Sequence, residues 1–136
     1  MPSIDEWNAR GQGMLPGHLG VLITAVGDRL VEADLAVRRE LMAPNGFLHA
    51  GSLVTLADAC AGYGCFNHLP EGAEGFTTLE LKSNYPGSAR DGTVRCVARA
   101  VHLGRTTQVW DATVSHAESG RTLMLFRCTQ LLLYER

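Results

Sequence analysis

The chain has no surplus of either charge. Its 12 Lys and Arg stand against 14 Asp and Glu, a formal net charge of −2 over 136 residues. Nucleic acid is therefore not an expected partner, because a nucleic-acid-binding domain carries a basic patch or stripe. No apolar run reaches the roughly 20 residues that span a bilayer, so no membrane partner is expected either. Residues Met1 to Trp7 lack the charged-then-apolar order of a secretion signal, which makes the cytoplasm the expected location. There is no Gly-rich phosphate loop and no G-x-S-x-G elbow. Cys60, Cys65, Cys96 and Cys128 form no C-x-x-C pair and have no His at zinc-finger spacing. They read as buried free thiols, and no metal is expected. With 46% hydrophobic residues and no repeat, low-complexity stretch or linker, residues 1–136 read as one domain with a helical extension over 1–14.

What is present is an order of elements. Ser3 followed by Glu6 has the form of a capping box, predicting a short leading helix broken by Gly11, Gly13, Pro16 and Gly17. Leu19 to Val26 and Leu30 to Val37 read as strands about a Gly27-Asp28 turn. The second alternates Leu30, Glu32, Asp34 against Val31, Ala33, Leu35. A connection over Arg38 to Asn45 leads to a long helix, about 49 to 67. A loop with Pro70, Gly72 and Gly75 follows. Four strands are then expected: Phe76 to Tyr85, Thr93 to His102, Thr106 to Ala117 and Arg121 to Tyr134. Two strands, one long helix and four strands are most economically arranged as an α+β fold, a curved antiparallel sheet wrapped round the helix.

The long helix carries the chemistry. Asp58 is its only charge from Ala50 to Cys65, set among Leu, Val, Ala, Cys and Gly. A carboxylate there is costly unless it is paired or has a task. The helix start offers free N–H groups suited to a developing negative charge. His49 and Asp58 are nine residues apart, roughly 13 Å along the axis and on opposite faces. One helix cannot present both ends to one carbonyl. Two helices related by a two-fold axis can, so a catalytic motif of this kind implies a dimer.

The run Gly46-x-x-His49-x-Gly51 followed by Leu56-Ala57-Asp58 resembles the signature of hotdog-fold acyl-CoA thioesterases, nearest the phenylacetate-degradation and 4-hydroxybenzoyl-CoA thioesterase branch. The likeness extends over roughly residues 15 to 134, with Gly104-Arg105 and Gly120-Arg121 at two turns. It implies hydrolysis of an acyl- or aryl-CoA thioester with Asp58 as general base or nucleophile. It implies no cofactor, with coenzyme A present only as part of the substrate. It implies a homodimer, and beyond it a dimer of dimers. In relatives the N–H after the His binds the thioester oxygen. Here that donor is Ala50 in place of the usual Gly, with Gly51 as a second donor or a packing residue.

Other assignments follow the same resemblance. The Asn or Gln often found six residues before the His is Ala43 here; Asn45 is the candidate replacement, with a plain turn role as its alternative. A hydroxyl four residues after the acid is replaced by Gly62, which leaves Thr78 to orient water. Arg105 and Thr106 fall in the loop expected near pantetheine and nucleotide, and Lys82 and Arg90 are further cations for phosphate. His49 is a catalytic candidate that acts as a base, contacts substrate near the thioester, or only caps the helix start. Phe47, Leu48 and Tyr63 hint at an apolar or aryl pocket. Two rival readings stand beside this one: a non-catalytic acyl-CoA-binding module on the same fold, and a hotdog dehydratase.

Overall fold

Alternation builds the sheet. In β2 (Leu30–Ala36) Val31, Ala33 and Leu35 are fully buried, while Asp34 between them turns outward. The same inside-outside pattern runs through β4 (Thr93–Leu103), β5 (Thr107–His116) and β6 (Thr122–Tyr134). With β1 (Leu22–Gly27) and β3 (Ala73–Asn84) they form one six-stranded antiparallel sheet in the order β1-β2-β4-β5-β6-β3. The computed structural model describes residues 1–136.

The long helix α3 (Ala50–Asn67) packs against β2, β4, β5, β6 and β3. Touching five of six strands requires the sheet to curl round it. Leu53, Leu56, Ala57, Cys60, Ala61 and Cys65 point into a single core of 27 buried hydrophobic residues. Burying a leucine such as Leu53 or Leu56 stabilises by about 1.5–3 kcal/mol, and the smaller Ala side chains by less. Gly64 lets the helix sit directly on the sheet, since a Cβ there would stand 2.5 Å from the Trp110 ring. Trp110 is fixed in turn. Its Nε1–H donates to Gln108 at 2.8 Å, and Gln108 Nε2 donates to the carbonyl of His68 beyond the helix end at 2.9 Å. All four cysteines are buried and free. Burial pushes the Cys65 and Cys128 thiols up to about 12.

The structure corrects the sequence reading at the N-terminus. The capping box closes α1 (Ile4–Gly11) as expected, but Leu15–Leu19 is a second short helix, α2, and the first strand starts only at Leu22. Pro16 suits a first helical turn, and Gly20, at φ +91°, ends α2 in the left-handed region. Gly17 is needed for proximity: a Cβ there would stand 2.2 Å from the carbonyl oxygen of Gly11. Gly75 lies within β3, beside a register shift, rather than in a loop. Helix α1 is tied to the sheet by Asn8, whose amide donates to the Ile23 carbonyl at 3.1 Å and accepts from the Ile23 N–H at 2.8 Å.

Candidate active site

Two separate openings flank α3. The first is at its start. Gly46 turns the chain at φ +87°. Leu48 N–H then donates to the Ala89 carbonyl, His49 N–H to the Leu41 carbonyl, and Ser52 Oγ to the same Leu41 carbonyl. These bonds hold the first turn of α3 in place. His49 is the N-cap, and its Nδ1 accepts the Gly51 N–H at 2.8 Å. That bond gives His49 the capping role and leaves it no Nδ1 lone pair for base work. It also occupies the Gly51 N–H, so Gly51 is not a second oxyanion donor in this arrangement. The exposed Ala50 N–H has no partner in the chain and is the open donor of this turn. A recess of about 400 Å³ in front of it is lined by Ala43, Asn45, Phe47, His49 and Tyr85, among others.

Asn45, the candidate replacement for the polar residue missing at Ala43, lines this recess but is also tied into the turn. Its Oδ1 accepts the Phe47 N–H at 3.1 Å, the local turn bond typical of Asn. From outside the helix the Tyr85 hydroxyl reaches its start, donating to the Ala50 carbonyl at 3.3 Å.

The second opening lies over the middle of α3. Asp58 is half-buried and forms no ion pair; burial alone pushes its carboxyl above the ordinary value. It shares a cavity of about 350 Å³ with Thr78 and Gln130 on the sheet side, and with Trp7, Tyr63, Phe66 and Phe76 as aromatic walls. Thr78 Oγ1 donates to Gln130 Oε1 at 2.7 Å, while the Nε2 of the fully buried Gln130 has no partner. Gly62 faces the same space, and a Cβ there would touch the Phe76 ring at 3.4 Å. Leu48, by contrast, is core. Sequence reasoning missed Gln130, because its link to Thr78 spans 52 residues. It also missed Trp7, which the Asn8 tether and a stack on Tyr63 hold at the cavity.

Within one chain the two openings stay apart. Asp58 is eight residues past Ala50, roughly 12 Å along the axis. The remaining predicted residues are dispersed. Arg90 lies over the Phe47 ring at 4.2 Å and lines a basic recess of about 640 Å³ with Arg38 and Arg39, next to the helix start. Lys82 is on the outer sheet face beside Asn84, Asp111 and Arg127, away from both openings. Arg105 and Thr106 occupy the β4–β5 turn, where their carbonyls accept from Tyr134 Oη and the Leu132 N–H. That turn lies toward the C-terminal end of α3, far from Ala50 in the same chain. No three His, Cys, Asp or Glu side chains gather as a metal site. No helix is long and apolar enough to cross a membrane.

A sheet curled round one long helix is the hotdog architecture, and the chain's relatives make it a thioester hydrolase of that class. The chain belongs to the Thioesterase superfamily, which it matches over residues 45–124. It is 35% identical to the 1,4-dihydroxy-2-naphthoyl-CoA hydrolase of Escherichia coli over 134 residues, covering 96% of this chain and 95% of that one. Among solved structures it is similar to a mutant thioesterase from Pseudomonas aeruginosa, with a TM-score of 0.93, 30% identity and coverage of 99% and 96%. It is also similar to a hypothetical thioesterase protein of Streptococcus pneumoniae solved with coenzyme A, with a TM-score of 0.76, 26% identity and coverage of 86% and 88%.

Proposed function

We propose that the protein hydrolyses an aryl-CoA thioester in a site shared by two copies of the chain, with Asp58 of one copy as general base and Ala50 of the other as oxyanion donor. The observation that carries this reading is the division of one helix into an unpaired acid and an open N–H, roughly 12 Å apart. Edge strand β3 supports the pairing of copies. It is hydrogen-bonded on one side only, and exposes Leu79 at 59% and Leu81 at 41%. The aromatic walls beside Asp58 support a flat acyl group, and the Escherichia coli relative is named for an aromatic acyl-CoA.

The proposed chemistry balances simply. Asp58 takes a proton from water as the water oxygen attacks the thioester carbonyl. The carbonyl oxygen becomes an oxyanion facing the Ala50 N–H. The C–S bond then breaks, and the proton held by Asp58 goes to the coenzyme A thiolate. Burial makes Asp58 a stronger base than an exposed carboxylate. The Thr78 hydroxyl, which gives its hydrogen to Gln130, keeps a lone pair to accept from that water. This favours water attack over direct attack by Asp58. Arg90 with Arg38 and Arg39 is a phosphate-binding candidate near Ala50; Arg105 reaches that neighbourhood only from a second copy.

The test is Asp58→Asn, assayed by release of free coenzyme A from benzoyl-CoA. kcat falls by on the order of 10²–10⁴ while binding of an inert thioether analogue is nearly unchanged. The acid limb of the wild-type pH profile lies above the ordinary Asp value and disappears in the variant. Near-normal turnover in folded Asp58→Asn would remove Asp58 from the chemistry. Binding by the wild type without turnover would instead establish an acyl-CoA-binding module.

A further inference from the structure

We infer that Arg10 makes the enzyme selective for aromatic acyl groups that carry a negatively charged substituent at the end remote from the thioester. This rests on the thioesterase reading of the Asp58 cavity. That cavity is asymmetric. At one end stand Asp58, Thr78 and Gln130; along α3 the wall continues through Gly62 and Tyr63 to Phe66. Phe66 is eight residues beyond Asp58, roughly 12 Å farther along the axis. Arg10 is at that far end, its guanidinium 5.3 Å from the Phe66 ring centre and 4.8 Å from that of Trp7.

Arg10 is placed rather than trailing. Helix α1 is capped at Ser3 and held to β1 by both bonds of Asn8. Trp7, 3% exposed, stacks on Tyr63 with ring centres 4.3 Å apart, and Arg10 lies over that stack. Yet Arg10 has no carboxylate partner, unlike Arg38, Arg95 and Arg127, which pair with Glu40, Asp34 and Asp111. It is the one cation lining this cavity.

A ring lying between the walls therefore has its carbonyl beside the acid and its far edge beside an unpaired guanidinium. The two charges sort the ends of the substrate. Asp58 repels an anionic group, and Arg10 accepts one as a charge-assisted pair. The spacing suits the para position of a benzoyl group or the far ring of a naphthoyl group.

The test compares 4-carboxybenzoyl-CoA with benzoyl-CoA, and 6-carboxy-2-naphthoyl-CoA with 2-naphthoyl-CoA, on wild type, Arg10→Met and Arg10→Lys. Wild type prefers the carboxylated member of each pair by about tenfold or more in kcat/KM. Arg10→Met loses that preference through the carboxylated substrates, while the uncharged ones stay within about twofold. Arg10→Lys keeps part of it, and added salt weakens it in wild type. A second readout does not depend on turnover. Calorimetric titration with the inert thioethers 4-carboxyphenacyl-CoA and phenacyl-CoA shows the same preference in wild type and not in Arg10→Met. Failure of all hydrolysis, with this binding preference intact, would reject the thioesterase reading and leave the Arg10 assignment standing. An equal response of charged and uncharged ligands to Arg10→Met, or no response, would overturn the assignment and leave Arg10 as packing on Trp7.

Discussion

The outer face of the sheet and the helix-side cavity treat the same side chain in opposite ways. On the outer face Asp34 lies 2.8 Å from Arg95 Nε, and Asp111 is held by Arg127 through two nitrogens. The carboxylates in these pairs keep the Arg side chains above their ordinary pKa values. In the cavity Asp58 meets aromatic rings, a hydroxyl and an amide, and no adjacent cation, and its carboxyl is pushed up by burial alone. Paired acids on a wet surface are chemically quiet. An unpaired acid partly withdrawn from water is both destabilising and more basic, and that combination marks a reactive site.

The contrast can be broken in order of effect. The largest is on turnover, where Asp58→Asn lowers kcat by on the order of 10²–10⁴. Next is the seat of the helix that carries Asp58. Gly64→Ala drives a methyl into a Trp110 ring held by Gln108, and destabilises by about 1–3 kcal/mol in urea unfolding despite the better helix propensity of Ala.

A smaller effect is on stability against pH. The folded-state pKa of Asp58 is raised, so its charged form is disfavoured in the fold. The protein is free of that penalty below the unfolded-state pKa and carries it fully once pH rises above the folded-state pKa. Asp58→Asn should therefore unfold at higher urea than wild type at neutral pH, with the advantage vanishing below the ordinary carboxylate value. The smallest effect comes from Asp34→Asn. It breaks the Arg95 pair, yet turnover stays within about twofold and unfolding shifts little, because exposed pairs contribute little.

How much of this was legible in the sequence follows from the range of the interactions. Asp58 stood out because one charge in an apolar helix needs no neighbour to be noticed. Strand β2 was visible from its alternation, the later strands from the turn signals between them, and α3 from an apolar run that follows the turn at Pro44 to Gly46. Helix α2 was not: Pro16 and Gly17 read as breakers, whereas here proline starts a helix and glycine permits contact with Gly11. The roles at the helix start were only half legible. His49 and Ala50 could be named, but which N–H remains open depends on the His49 Nδ1 bond to Gly51. Gln130, Trp7 and Arg10 reach the cavity through sheet register and the Asn8 tether. Those are long-range contacts with no local signature.

The most direct measurement of the shared site mixes two inactive variants. Ala50→Pro deletes the open N–H without breaking the helix. Proline suits the first helical position, and His49 already has the extended backbone (φ −65°, ψ 137°) required before proline. Ala50→Pro alone lowers kcat by about 10²–10³, as expected for loss of an oxyanion donor. Mixed with Asp58→Asn at equal concentration and allowed to exchange subunits, it forms mixed dimers in which one site has both Asp58 and the Ala50 N–H. Activity should return to about a quarter of wild type, since half the dimers are mixed and each holds one intact site of two. Activity no higher than that of either variant alone, after exchange has been verified, would contradict the shared site.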